Sequence, residues 1–142
     1  MKAKKIQITT VDFLTLKDLI SASLAQPNGR TECLRDLNEE LQRADIVPPL
    51  EISEKVVTMN SKVRLSDLSN REEIICTLVF PKPQGLGEDE ISVLAPMGTA
   101  LLGMAVGDET EIQVPAGTLR LRVEEILYQP ERAEKQSLAA KV

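Results

Sequence analysis

The sequence contains no histidine, and it has only two cysteines among its 142 residues. Histidine is the commonest general base and the commonest metal ligand, so its absence excludes Ser-His and Cys-His nucleophile pairs. Two cysteines, Cys33 and Cys76, are too few for a four-cysteine zinc site. We expect both to be buried or half-buried thiols, because free cysteine packs as a small hydrophobic residue.

Aromatic residues are equally scarce: the chain has no tryptophan, and its rings are Phe13, Phe80 and Tyr128. The core must therefore be built from aliphatic side chains, which argues against a pocket walled by rings. The formal net charge is -5. An acidic chain with few rings lacks both the basic surplus that neutralises phosphates and the platforms on which bases stack. We therefore expect no direct nucleic-acid binding, and a basic protein partner suits the chain better.

Long apolar runs are also missing. No stretch approaches the roughly 18 uninterrupted apolar residues of a membrane-spanning helix. The beginning, "MKAKKIQITT", is charged but no apolar run follows it, so it does not resemble a signal peptide. We expect a soluble, cytoplasmic protein with no membrane partner, and a monomer.

The motifs of common enzyme classes are absent from the chain. It has no GxxxxGK[ST] phosphate loop, no GxGxxG fingerprint and no GxSxG nucleophile elbow. Its carboxylates are expected on solvated faces and in one acidic loop, not in apolar pockets that would raise a pKa. We therefore predict a protein that is not an enzyme, with no catalytic residue, no metal and no cofactor.

The first part of the chain predicts two helices. Residues 1–9 are expected to form an extended, solvated arm, after which Thr9 or Thr10 can cap a helix over residues 11–25. A second helix is predicted over residues 31–46, ending at the prolines of "VPP". Leucines and alanines at spacings of three and four predict a seam against the first helix: Leu34, Leu37, Leu41 and Ala44.

The outer face of the second helix is acidic, and the turn between the helices is polar. Asp36, Glu39 and Glu40 form an acidic cluster, which we interpret as a solvated helix face. The turn lies near residues 26–30, where "QPNGR" is a strong break signal. The two helices therefore predict a short antiparallel hairpin, or short coiled coil.

From residue 50 onward the apolar period changes to that of strands. "KVVTM" and "KVRLSDL" predict a bent strand, and "EIICTLVF" predicts a central strand. Residues 81–90 predict a loop, and "ISVLA" predicts a short strand. "PMGTALLG" predicts one or two helical turns, with Pro96 in the first helical position and Gly103 at the C-terminal cap. A last hairpin turns around Ala116-Gly117, and its second strand is expected to bulge at Glu124-Glu125 because the apolar positions change parity there.

These elements predict an α+β fold: a short N-terminal antiparallel helical hairpin followed by an antiparallel β-sheet domain with one short helix. The predicted division is a hairpin over residues 1–49, a sheet domain over 50–131, and a flexible tail over 132–142 that is frayed or forms a loose helix.

Several short motifs in the second half occur in a fixed order: Ile91-Ser92, Ala95-Pro96, Ala100-Leu101-Leu102-Gly103, Gly107-Asp108 and Pro115-Ala116-Gly117. This order resembles the C-terminal domain of bacterial Gre transcript-cleavage factors. The details "VVTMNS", "APMGTALLG" and "LYQPE" resemble the Rnk-type regulators of nucleoside diphosphate kinase in particular. The resemblance covers roughly residues 56–131 and implies an FKBP-like fold for this half.

The resemblance also implies a partner and a site. It implies binding to RNA polymerase at the rim of the secondary channel, on the β′ subunit, through Ala95, Pro96, Met97 and Gly98. Gre factors have a serine before the proline, where it can cap the helical turn, whereas Ala95 cannot. Thr99 can cap a later start instead. Met97 is the candidate apolar anchor, since methionine adapts to irregular surfaces.

Gre factors stimulate transcript cleavage through the acidic tip of a long helical finger. The tip here has Asn28, Gly29 and Arg30, with one nearby acid, Glu32, and the predicted hairpin is short. The resemblance therefore implies a transcription regulator that competes with Gre factors without stimulating cleavage, and whose effect on nucleoside diphosphate kinase levels is indirect. Two alternatives stay open: direct binding to a metabolic enzyme such as that kinase, and weak prolyl isomerase activity by analogy of fold.

Overall fold

Helices, a two-stranded sheet and a curled five-stranded sheet make up the described part of the chain. The computed structural model describes residues 6–24, 31–82, 84–114 and 117–140. Its elements in chain order are β1 (Gln7–Thr9), α1 (Thr10–Leu24), α2 (Thr31–Arg43), β2 (Asp45–Val47), a 3₁₀ turn (Pro49–Glu51), β3 (Lys62–Asp67), β4 (Glu73–Val79), β5 (Glu90–Ser92), α3 (Pro96–Leu101), β6 (Glu109–Val114), β7 (Gly117–Tyr128) and α4 (Pro130–Ala140). The predicted mixture of helix and sheet is confirmed.

Helices α1 and α2 pack against each other through the predicted apolar seam. Leu16 of α1 is buried, as are Leu37 and Leu41 of α2. At the start of α1 the Asp12 backbone N–H donates to the Thr9 hydroxyl at 3.0 Å. Thr9 is therefore the N-cap, as one of the two alternatives predicted. The polar turn with Asn28, Gly29 and Arg30 lies outside the described residues.

Both ends of the helical region differ from prediction. Residues 7–9 are not a solvated arm, because they pair in parallel with residues 45–47 as strands β1 and β2. Ile8 and Thr9 are fully buried there. The same pairing ends α2 at Arg43, before the predicted end at residue 46, because the chain must become extended to hydrogen-bond with β1.

The larger sheet has the strand order β5-β4-β3-β7-β6. Strand β3 lies at its centre, with Val63 and Leu65 facing the core and Lys62 facing solvent. The strand predicted as central, β4, lies one place toward the edge, and Ile75 on its outer face is 41% exposed. "KVVTM" is not a strand: it is irregular apart from one bridge from Val56 to Ala105, because Val57 hydrogen-bonds with Gly103 and Met104 instead of a strand.

Strand β7 is bent by two irregularities. Its pairing with β3 skips Glu124 between Val123 and Glu125, and it skips a second residue, Leu127, before Tyr128. The predicted bulge at Glu124-Glu125 is confirmed, and the second one was not foreseen. Each extra residue increases the local twist, which helps the sheet to curl.

One apolar core joins the helices to the sheet. It includes Leu37 of α2, Leu78 of β4 and Leu101 of α3. The C-cap of α3 is Leu102, one residue before the predicted Gly103; Gly103 follows it with φ +83°, and a side chain there would overlap Ile6. The division of the chain at residue 49 stays a prediction, since this core crosses it. The predicted tail is helical as α4, and its first turn is anchored by a hydrogen bond from Thr58 to Glu131 at 2.7 Å.

Candidate functional site

The segment that the sequence singled out forms the N-terminal end of α3. Pro96 takes the first helical position, where its missing N–H costs no hydrogen bond. Ala95 precedes it in an extended conformation and supplies no side-chain cap. The helix nevertheless starts at Pro96, because the Thr99 backbone N–H donates to the Ala95 carbonyl at 2.9 Å.

Thr99 holds this end of the helix from within the first turn. Its hydroxyl donates to the Val93 carbonyl at 2.6 Å. The expectation that Thr99 caps a later helix start is therefore wrong, because its hydroxyl bonds to Val93 in the connection between β5 and α3. This bond fixes the connection between β5 and α3.

Gly98 lets the helix lie directly on β5. It is buried, and a side chain at this position would overlap the backbone carbonyl of Ser92. Such close approach of two backbones requires glycine. Gly98 is consequently part of the support of the site and not of its surface.

The four predicted contact residues therefore differ in how exposed they are to a partner. Pro96 is exposed, whereas Ala95 and Met97 are half-buried and Gly98 is buried. Met97 packs against the apolar core. The surface that a partner could meet is Pro96, with the exposed parts of Ala95 and Met97 beside it.

A groove of about 490 Å³ adjoins this surface. Its floor includes Pro96 and Ala100 of α3 together with Ile112 of β6. Its far wall is the acidic cluster of α2, namely Asp36, Glu39 and Glu40. The cluster interpreted as a plain solvated face thus borders a groove that begins at the candidate contact residues, a juxtaposition that only the tertiary fold creates.

The sequence did not predict a second site, which is the buried carboxylate of Asp12. Asp12 of α1 is only 8% exposed, and its carboxylate accepts the Met59 backbone N–H at 3.1 Å. The pKa of Asp12 is raised to about 6, mainly by burial and to a smaller extent by the nearby charge of Glu131, while the hydrogen bonds from Met59 and Thr9 oppose the rise. The expectation that no carboxylate lies where its pKa is raised is wrong. Asp12 had been noted only as a favourable residue for a helix N-terminus.

Asp12 and Glu131 border a second groove, of about 580 Å³. Val11, Pro48 and Leu50 supply apolar walls, and the charged residues of the described ranges that line it are acidic. Since α4 supplies Glu131 and α1 supplies Asp12, this groove marks the junction of the two helices with the segment between β2 and β3.

The remaining candidates for chemistry give no site within the described ranges. Cys76 is buried, and burial raises the pKa of its thiol to about 11, so it stays protonated at neutral pH. Within residues 6–24, 31–82, 84–114 and 117–140, no three acidic or cysteine side chains cluster in a way that could hold a metal ion. In the same ranges, no helix is long and apolar enough to cross a membrane.

The chain is similar to known proteins over most of its length. A family model described as "Transcription elongation factor, GreA/GreB, C-term" matches residues 52–128. "Regulator of nucleoside diphosphate kinase" from Escherichia coli (strain K12) is 45% identical over 98 residues, which cover 68% of this chain and 72% of that protein. "Transcription elongation factor GreA" from Chlorobium phaeobacteroides (strain BS1) is 41% identical over 93 residues, which cover 64% and 58%.

A solved structure agrees with these similarities. The "Prokaryotic transcription elongation factor GreA/GreB from Nitrosomonas europaea" superposes with a TM-score of 0.71 at 44% identity, and the match covers 88% of this chain and 99% of that one. The similarity therefore extends beyond the sheet into the helical region. The region matched by the family model contains α3 and the candidate contact residues 95–98.

Proposed function

The chain belongs to the GreA/GreB family of transcription elongation factors, and from this premise we propose that it is a transcription regulator that binds RNA polymerase. The family match, which confirms the resemblance drawn from the motifs, supports the proposal. We propose an FKBP-like arrangement for the curled sheet with α3, and cytoplasmic action.

Docking is proposed to occur at the rim of the secondary channel, on the β′ subunit, through the α3 end. The observation that carries this assignment is the exposure of Pro96 on a rigid base: the turn is fixed by the Thr99–Val93 hydrogen bond and by the backbone contact at Gly98. A preorganised surface loses little conformational entropy when it binds, so even a small contact can contribute affinity.

The protein is proposed to compete with Gre factors without stimulating transcript cleavage. Helix α1 has 15 residues and would reach only about 22 Å at 1.5 Å per residue. The turn between the helices, with Asn28, Gly29 and Arg30, lacks the paired carboxylates that a divalent cation prefers. A short arm with such a tip would occupy the docking surface without supplying metal ligands to the polymerase.

A binding assay with core RNA polymerase tests the docking site. We expect Pro96→Asp to weaken binding about tenfold or more, because it places a charge at the centre of the contact. Leu138→Asp is the matched control, since Leu138 is 44% exposed on α4 and is not among the residues that line the groove beside α3. The double variant Pro96→Asp, Met97→Asp extends the test, with a thermal melt to check its fold because Met97 packs on the core. Unchanged binding by correctly folded variants would remove the assignment.

The mechanism has its own tests. A Gre factor should displace the bound protein, and the purified protein should not increase RNA cleavage in stalled elongation complexes; strong cleavage would contradict the proposal. The name of the Escherichia coli relative keeps direct kinase binding as the alternative. A pull-down that recovers nucleoside diphosphate kinase and no polymerase subunit would favour that alternative.

A further inference from the structure

Among the residues that the structure describes, no strand lies beside the outer edge of strand β6. Strand β6 is the last in the order β5-β4-β3-β7-β6 and pairs with β7. No residue in the described ranges, apart from those of β7, hydrogen-bonds to the β6 backbone. Alternate N–H and C=O groups along its six residues therefore point away from the sheet, available to another extended chain.

This edge borders the groove beside α3. Four consecutive residues of β6, from Thr110 to Gln113, line the groove, and the acidic face of α2 lies across from them. The floor is apolar at Ala100 and Ile112. When proteins bind an extended peptide as an added strand, a free strand edge supplies the main-chain hydrogen bonds, and the surface beside it selects the alternate side chains of the peptide.

The wall carries negative charge that ion pairs within the described ranges neutralise only in part. Glu40 pairs with Arg43 at 2.7 Å, and Glu111 pairs with Arg120 at 3.3 Å. Asp36 and Glu39 have no ion pair within the described part of the chain, and no lysine or arginine lines the groove. The charge complement of this wall is therefore basic.

We propose that the groove between α2 and the edge of β6 binds an extended, lysine- or arginine-bearing segment of a protein partner as an added strand. Backbone groups of β6 hold the segment, its alternate apolar side chains cover Ala100 and Ile112, and its basic side chains face Asp36 and Glu39. This site goes beyond the proposed function, because it requires no particular partner, and its test involves no polymerase.

The probe is a short peptide of alternating valine and lysine, titrated into the ¹⁵N-labelled full chain at low salt. We expect amide shifts at Thr110 to Gln113 and along the Asp36–Glu40 face. A second peptide with N-methylated valines keeps the charge but loses main-chain donors. We expect it to bind about tenfold more weakly, since several backbone hydrogen bonds are lost.

Matched charge variants test whether the peptide binds at this groove or is attracted by the overall negative charge of the chain. Asp36→Asn with Glu39→Gln should weaken peptide binding about three- to tenfold at low salt and reduce its salt dependence. The control, Glu51→Gln with Glu134→Gln, removes two charges from the other groove and should leave binding unchanged. The proposal is overturned by equal binding of the two peptides, by equal effects of the two double variants, or by no shift in β6 at millimolar peptide.

Discussion

The N-terminal end of α3 and the start of α1 are two junctions of this molecule that are fixed by different kinds of contact. The N-terminal end of α3 is held by backbone proximity: Gly98 lies on the Ser92 carbonyl, and the Thr99 hydroxyl bonds to Val93. The start of α1 is held by buried acid: the Asp12 carboxylate accepts the Met59 N–H, while Glu131 accepts the Thr58 hydroxyl. The side chains that the first junction can accept are limited by the space available, whereas the stability of the second junction depends on whether its carboxylates are protonated.

This difference has a functional side. A junction fixed by neutral contacts is expected to keep its shape across the physiological pH range, which suits the end of α3 for its proposed role as a docking surface. A junction that buries a carboxylate beside a second acid is destabilised whenever both are ionised. The α1 junction is therefore the part of the structure whose stability should respond to pH.

The largest expected effect tests the volume limit at the first junction. Gly98→Ala should lower the free energy of unfolding by about 3 kcal/mol, because the new methyl group overlaps a backbone carbonyl that cannot turn aside. Urea denaturation measures the loss. The control is Gly87→Ala, where the nearest atom to the methyl group would be 3.6 Å away in a flexible side chain. Similar stability of the two variants would contradict the close contact.

The next effect tests the acid at the second junction. The pKa of Asp12 is about 6 in the folded chain, above its ordinary value of 3.8. Between these values the folded state keeps a proton that the unfolded state releases, so the contribution of Asp12 to stability falls as pH rises from about 4 to 7. Asp12→Asn retains an acceptor for Met59 without the charge. It should stabilise the protein by about 2 kcal/mol at pH 8 and by much less at pH 4.

Chemical denaturation of both proteins across this pH range measures the difference between them, which cancels the titration of the other carboxylates. A variant that is less stable than the parent at pH 8 would show that the ionised carboxylate of Asp12 stabilises the protein there. The proposed difference in pH response between the two junctions would then be wrong.

The smallest expected effect tests the hydrogen bond at the first junction. Thr99→Val keeps the shape of the side chain but removes the hydroxyl that donates to the Val93 carbonyl at 2.6 Å. We expect a loss of about 1 kcal/mol in thermal or urea unfolding, independent of pH from 4 to 8. Thr118→Val is the control, because its hydroxyl bonds to Gln113 at 3.3 Å on the exposed surface. A pH-dependent loss at Thr99 would contradict the assignment of this junction to neutral contacts.

Local patterns in the sequence were sufficient for most elements. The apolar spacing that predicted α1 and α2 is confirmed by the burial of Leu16, Leu37 and Leu41. The parity change in β7 correctly located its bulge at Glu124. These features depend on neighbours in the chain, so a single sequence reveals them. Pro96 was likewise placed correctly at the start of α3, whereas Gly103 lies one residue after the C-cap, Leu102.

What the sequence did not reveal depends on distant contacts. A three-residue strand such as β1 has too short a pattern to be recognised, and its partner β2 looked like the continuation of a helix. The burial of Asp12 arises from the segment at Met59 and from α4, and nothing near Asp12 in the chain indicates it. The groove beside α3 likewise needs α2 and β6 together.

The parallel pairing of β1 with β2 has a consequence for the order in which the molecule is made. Both α1 and α2 lie between the two strands, so their pairing closes a loop that contains the whole helical region. During synthesis, residues 7–9 leave the ribosome before residues 45–47, so β1 cannot pair with β2 until the later segment has emerged. Because loop closure costs entropy, the helices are expected to associate before β1 docks. The first strand of the chain would then be among the last parts of the helical region to reach its final place.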